Sequence, residues 1–226
     1  NRIAGIQVSS RQIHQHPGAA VDKRLIRNEL GFWQVEAKPD AESLRKYYAE
    51  KYYQQAKGSY EHTYSPEELE YFRAKLQQRW HVLRRGLLHQ KPGRMLDVGC
   101  GEGFALAFFR ELGYAVTGID FSSAGVAAQN PGCLDCLIAG DVFTVLDQEI
   151  AAGHIYEVVW LQNVLEHVLD PLALLRSLRP LVAPGGMAVV TVPNDCSVIQ
   201  RAALSAGHID RAFWVLVTGR RVVGPR

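Results

Sequence analysis

Five short apolar runs punctuate residues 92–195: Met95 to Val98, Val116 to Asp120, Leu134 to Ala139, Ile155 to Leu161, and the stretch that follows Pro184-Gly185-Gly186 up to Pro193. Each is mostly apolar and too short for a helix, with glycine, proline or an acid at or near most of the ends, and Ile155 to Leu161 is rich in β-branched and aromatic residues, which is the signature of buried strands. Strands spaced this way, with helix-length segments between them, predict an α/β protein with a parallel sheet and flanking helices.

Upstream the period changes. Ser65-Pro66-Glu67-Glu68 combines an N-cap, a proline at the first helical position and acids in the first turn, and it predicts a helix from Pro66 to about His89. Leu69, Phe72, Leu76, Trp80, Leu83 and Leu87 recur on it at intervals of three and four, a stripe that faces a core. Asp40 is placed to cap an earlier helix that carries Leu44, Tyr47 and Tyr48, with Lys51 and Tyr52 on related faces. Residues 1–30 are polar and without period, a peripheral arm. The expected organisation is an arm and helical cap over residues 1–90 and a cofactor domain over residues 91–226.

The chemistry concentrates where the first run ends, in MLDVGCGEG, with Gly99, Gly101 and Gly103 at alternate positions. Glycines here let a strand turn tightly into a helix and let the backbone approach a bound nucleotide-type cofactor. The third glycine comes one residue earlier than in the dinucleotide pattern G-x-G-x-x-G. Asp97 and Glu102 also flank the turn, which suits a cationic or zwitterionic ligand better than a pyrophosphate. S-adenosylmethionine, with its ammonium and sulfonium, answers that description. The segment resembles motif I of the class I S-adenosylmethionine-dependent methyltransferases, and the later runs resemble that family's remaining motifs in order.

The resemblance implies a Rossmann-like sheet, S-adenosylmethionine as cofactor and S-adenosylhomocysteine as product. Asp97, Gly99, Cys100, Gly101 and Gly103 would form the cofactor turn. Asp120 lies about twenty residues on, at the offset where an acid holds ribose hydroxyls, with Phe121 beside it for adenine. Its other reading is a helix N-cap ahead of Ser122 and Ser123. Asp141, with Val142 beside it, matches the acid that accepts the adenine amino group, although a turn aspartate has the same appearance. Gln162 and Asn163 would line the methionine end, and Arg79 is either a reach to the cofactor carboxylate or part of a solvated helix face. His167 is the candidate general base for a hydroxyl acceptor; alternatively Glu166 and His167 merely begin a helix.

Composition narrows the classes. With 226 residues, 47% of them hydrophobic and a net charge of +2, the chain can bury a core and carries no basic stripe for nucleic acid. No apolar run reaches membrane-spanning length, so a cytoplasmic location is expected, with the oligomeric state left open; a small-molecule substrate is what the family resemblance implies. Cys133 and Cys136 have the spacing of half a zinc site without a second half, so they read as buried thiols and no metal is expected. Tyr47, Tyr48, Tyr52, Tyr53, Tyr60 and Tyr64 form a cluster that reads equally as a lid over a small polar substrate or the cofactor's exposed edge, or as helix packing; its YYAEKYY pattern resembles the leader of a methyltransferase subgroup, which implies a sugar or another small molecule as acceptor.

Only 33 residues follow Pro193, which holds a helix near Cys196 to Ala206 and a hairpin of Ala212 to Val217 with Arg221 to Val223. The two further strands of a complete class I sheet are therefore expected to be incomplete. Two other functions share these features: a noncatalytic module that keeps the cofactor pocket, and an NAD-dependent oxidoreductase, against which the glycine spacing argues.

Overall fold

The computed structural model describes residues 25–29, 31, 33–40, 42–43, 46, 63–88, 91–193 and 198–206. The expected hairpin after Ala212 and tyrosines 47, 48, 52, 53 and 60 lie outside them. The described elements fall into two compact units. In the smaller, β1 (Leu25–Arg27) pairs antiparallel with β2 (Trp33–Val35) within the stretch that lacked any period, and α6 covers Val198–Ser205. Gly31, at φ 87°, makes the turn, and the Arg27 guanidinium donates to its carbonyl at 2.9 Å.

The larger unit holds the sheet. Its elements are α1 (Pro66–Leu83), β3 (Arg94–Val98), α2 (Phe104–Glu111), β4 (Ala115–Asp120), α3 (Ala124–Gln129), β5 (Leu137–Ala139), α4 (Val142–Ala151), β6 (Tyr156–Gln162), α5 (Pro171–Leu178) and β7 (Val182–Thr191). All five strands run parallel in the order β5-β4-β3-β6-β7. The chain builds outward from β3 to β5, then crosses back to lay β6 on the other side of β3, and that reversal opens a crevice at the carboxyl ends. Asp97, Asp120 and Gln162 stand at that edge because each closes or nearly closes its strand.

Alternation along the strands divides the core. Met95, Val158 and Trp160 pack under α1 and α2 with Leu76, Leu83, Leu106 and Phe109, while Leu96, Val98, Val159 and Leu161 pack under α4 and α5 with Leu146, Leu174 and Leu178. Asp97, paired in register with Trp160, shares the α1 face. Among the described residues no helix is long and apolar enough to cross a membrane.

Three predicted boundaries move. Helix α1 stops at Leu83 instead of His89, because the chain tightens through Arg84 and Arg85 to Gly86, where a Cβ would stand 2.2 Å from Met187 Sδ. Its stripe is correct except for Leu69, which is 41% exposed in the first turn. Strand β5 is only three residues long, since Pro131 opens a 3₁₀ helix that uses up residues through Cys136. Strand β7 begins before Pro184-Gly185-Gly186 and absorbs it as a bulge: Tyr156 pairs with Val182, but Val158 pairs with Met187. Gly186 is needed there, as a Cβ would approach the Glu157 carbonyl to 2.8 Å.

At the opposite, amino-terminal end of the strands, Glu149 is buried and accepts hydrogen bonds from the Tyr156 hydroxyl and, at 2.8 Å, from His154 Nδ1. Burial pushes the Glu149 carboxyl up, but the Tyr156 and His154 donors outweigh it and hold the group below its ordinary value. A lowered carboxyl contributes stability above its unfolded pKa that disappears as pH falls through the folded one. Tyr156→Phe should therefore cost about 1–3 kcal/mol at pH 7. Urea unfolding followed from pH 7 downward checks this, with the cost expected to shrink as the pH falls through the lowered folded pKa of Glu149.

Candidate functional site

Strand β3 ends at Val98 and the chain turns through Gly99, Gly101 and Gly103, all left-handed at φ 71°, 58° and 77°. Gly99 has a second constraint, because a Cβ would lie 2.3 Å from Val164 Cγ2 in the loop after β6. The amides of Gly99 and Cys100 both donate to the Ile119 carbonyl, at 2.7 and 3.0 Å, so the turn is stitched to the end of β4. One residue further, Asp120 accepts the Gly101 amide at 2.9 Å and the Ser122 amide at 3.2 Å. Asp120 is thus no N-cap; that position before α3 belongs to Ser123.

The other expected residues gather nearby to different degrees. The Gly140 amide donates to the Asp120 carbonyl at 2.8 Å, which holds the exit of β5 beside β4. Asp141 follows as the N-cap of α4, with Oδ1 accepting from the Thr144 amide and hydroxyl, so its turn role is real and takes one oxygen. Val142 is buried in the core on the α4 side, and Phe121 is half-buried directly after Asp120. Asn163 takes φ 55°, a left-handed conformation that asparagine tolerates better than most side chains, and its amide donates to Thr191. Glu166 and His167 lie in a single 3₁₀ turn, Leu165–His167, and do not start an α-helix.

Arg79 comes from α1 and donates to Gln162 Oε1 at 2.6 Å, with its guanidinium 6.0 Å from the centre of the Trp160 ring. The solvated-face reading of Arg79 is therefore overturned: the side chain is drawn in over the end of β6. Trp160 itself is 1% exposed, and its indole N–H is the buried side-chain group without a hydrogen-bond partner among the described residues. Two contacts were not legible beforehand. The Tyr64 hydroxyl donates to Glu102 Oε1 at 2.8 Å, and Asn130 Nδ2 donates to the Glu102 carbonyl at 2.7 Å. Asparagine after a short helix was the only hint of the second.

Charge defines the site. Asp97 is 3% exposed, and burial, aided by the charge of Asp120, pushes its carboxyl up to about 8. Burial also raises Asp120, to about 6, against the lowering pull of the Gly101, Ser122 and Phe121 amides. Glu102 is raised by burial in spite of the Tyr64 hydroxyl. Arg79 moves the opposite way, lowered by burial. Among the described residues none of the three acids is ion-paired and Arg79 meets no carboxylate. Unpaired acids with an unpaired guanidinium at one sheet edge are complementary to a ligand that carries both signs. Cys100 is buried, its thiol pushed up by burial, and packs toward Gly118 as a small filler. Burial lowers the His167 imidazole, which stays neutral at pH 7 and can accept a proton.

A parallel sheet that reverses its strand order beside a glycine turn, with a ribose-spaced acid on the next strand, defines a nucleoside-cofactor enzyme core. Residues 69–214 match the family described as a methyltransferase domain, and the chain belongs to that family, the class I S-adenosylmethionine-dependent methyltransferases. Among curated proteins it is similar to ubiquinone biosynthesis O-methyltransferase of Caulobacter sp. (strain K31), 30% identical over 157 residues, 68% of this chain and 62% of the relative. The protein of that name from Rhodopseudomonas palustris (strain TIE-1) is 37% identical over 101 residues, 45% of this chain and 40% of the relative. The chain thus spans less than two thirds of the length of these relatives. Of solved structures, a SAM-dependent methyltransferase from Archaeoglobus fulgidus aligns at 21% identity and TM-score 0.47, over 61% of this chain and 59% of its own. The plantazolicin methyltransferase BpumL in complex with SAH aligns at 19% identity and TM-score 0.46, over 73% of this chain and 62% of its own.

The raised acids carry a stability consequence. Asp97 holds a proton in the folded state up to about pH 8, whereas its ordinary value is 3.8. Stability from this group is complete below the unfolded pKa and is lost as pH rises through the folded one. Ligand-free protein should accordingly unfold at lower urea at pH 8.5 than at pH 5.5, and Asp97→Asn should flatten that difference. An equally steep pH dependence in the variant would remove Asp97 as its source.

Proposed function

We propose that the protein is an O-methyltransferase that moves a methyl group from S-adenosylmethionine to a hydroxyl of a small acceptor. The observation that carries this reading is the pairing of opposite uncompensated charges at one sheet edge: Asp97, Asp120 and Glu102 on the turn side, Arg79 on the β6 side. The relatives named as O-methyltransferases support oxygen as the acceptor atom.

In this reading the Gly99–Gly103 turn gives a bare backbone wall, with Cys100 filling the space beneath it. Asp120 takes the ribose hydroxyls, Phe121 lies along adenine, and Asp141 with Val142 closes the adenine end through the carboxylate oxygen not used to cap α4. Asp97 and Glu102 face the ammonium and sulfonium. Arg79 holds the carboxylate, oriented by Gln162, with Asn163 beside it. The cofactor supplies an electrophilic methyl group on a positive sulfur. What the chain adds is orientation, exclusion of water and one proton transfer, with the neutral imidazole of His167 taking the acceptor's hydroxyl proton as its oxygen attacks.

Three measurements test the reading. Asp120→Ala should weaken S-adenosylhomocysteine binding by about 1.5–3 kcal/mol, the scale of charge-assisted hydrogen bonds, read by titration calorimetry. Affinity for S-adenosylmethionine should rise with pH across the window from about 6 to about 8, where Asp120 and Asp97 acquire the charge that a cation requires. His167→Gln should slow transfer of labelled methyl about 100-fold while cofactor affinity is retained. Absence of S-adenosylhomocysteine binding to wild-type protein would overturn the assignment.

A further inference from the structure

Helix α1 carries the guanidinium that the site needs, yet it belongs to the stretch ahead of the sheet, and something must fix it along the cofactor turn. The structure shows where. Tyr64 immediately precedes the N-cap Ser65, whose side chain and that of Glu68 form a reciprocal capping box at the helix entrance. Its hydroxyl donates to Glu102 Oε1 at 2.8 Å, within the glycine turn itself. Its ring stands edge-on to Phe72 of α1 and Phe104 of α2, with centroids 5.1 and 5.8 Å apart, and Phe72 meets Phe104 at 5.2 Å. Glu102 is held from its other side by Asn130 on its carbonyl. One side chain therefore ties the start of α1, the turn and the first residue of α2 into a single cluster.

The remaining holds on α1 are of different kinds. Arg73 pairs with Glu111 at 2.7 Å where both are exposed, which contributes little. Trp80 packs edge-on against Phe109 and Tyr114 at 5.7 and 5.8 Å, a contact that resists separation but tolerates sliding along the axis. The Tyr64 bond is directional and sits at the entrance of the helix, about 20 Å from Arg79, whose own bond to Gln162 and the buried Leu76 and Leu83 hold the remainder.

On the cofactor reading above, we propose that Tyr64 and Glu102 are a positioning pair: their hydrogen bond registers α1 on the glycine turn and thereby places Arg79 over Gln162 for the cofactor's carboxylate. The pair makes the turn and the helix interdependent. A cofactor that orders the turn also seats the helix, and a loosened helix costs affinity at the far end of the ligand. The bond uses Oε1 alone, so the tyrosine leaves the second carboxylate oxygen of Glu102 as an acceptor.

Tyr64→Phe removes the hydroxyl and keeps the ring packing, so the fold survives the test. In ligand-free protein it should speed amide hydrogen exchange in two separated segments at once, residues 66–72 and residues 101–104, whereas Glu102→Gln, which keeps an acceptor, should leave both as in the wild type. Tyr64→Phe should also weaken S-adenosylhomocysteine about three- to tenfold, within the net worth of an ordinary hydrogen bond. In an Arg79→Gln background the same change should cost nothing further, because the helix no longer carries the group it positions. Exchange that quickens only in residues 66–72, or penalties from Tyr64→Phe and Arg79→Gln that multiply in full, would overturn the pair. Wild-type protein that takes up no S-adenosylhomocysteine would sink the cofactor reading instead, and the exchange result would still decide whether Tyr64 and Glu102 act together.

Discussion

The bond from the Gly101 amide to Asp120 is the constraint on which the site depends. It is short range and involves one donor, yet it joins the loop after β3 to the end of β4 across the crevice where the strand order reverses. The Ile119 carbonyl takes the two preceding amides, so three successive N–H groups of the turn are spent on β4 and its last residue. A backbone pinned this way has little freedom to close over its own acids, and it leaves Asp97 and Asp120 near each other and dehydrated. The raised carboxyls follow from that geometry. Their causes are burial and, for Asp97, the neighbouring charge of Asp120.

Stability is drawn from other parts of the molecule. The strands bury Met95, Leu96, Val98, Val158, Val159 and Leu161 almost completely on two faces, and the amino-terminal edge is closed by the satisfied Glu149, Tyr156 and His154 group. Both edges thus carry buried acid, and the contrast between them is informative. Glu149 has its donors and sits below its ordinary pKa; Asp97 lacks a cation and sits far above it. The same residue chemistry is thus satisfied at one end of the sheet and left without an ion pair among the described residues at the other.

Much of this could be read along the chain. The class of fold, the parallel strands and the glycine turn followed from period and punctuation, because a strand buried on both faces leaves an unmistakable apolar run and a tight turn leaves glycines. Of the boundaries, those that moved were decided by contacts distant in sequence: Gly86 meets Met187, and the Pro184-Gly185-Gly186 stretch is absorbed by Tyr156 and its neighbours. The hairpin of β1 and β2 was missed since three-residue strands carry too few positions to show alternation. At the site, positions on the turn and at strand ends were legible from spacing. Tyr64, just ahead of α1, and Arg79, within it, had no spacing rule to mark them, and only the fold shows which of several tyrosines and arginines turns inward.

Gly99 and Val164 belong to loops that serve opposite halves of the crevice, and they touch so closely that no side chain fits between them. In this chain the loop after β6 is seated in the volume that a bare α-carbon leaves. A side chain added at position 99 would have to drive the two loops apart, so one missing methyl group sets how closely the halves of the crevice approach.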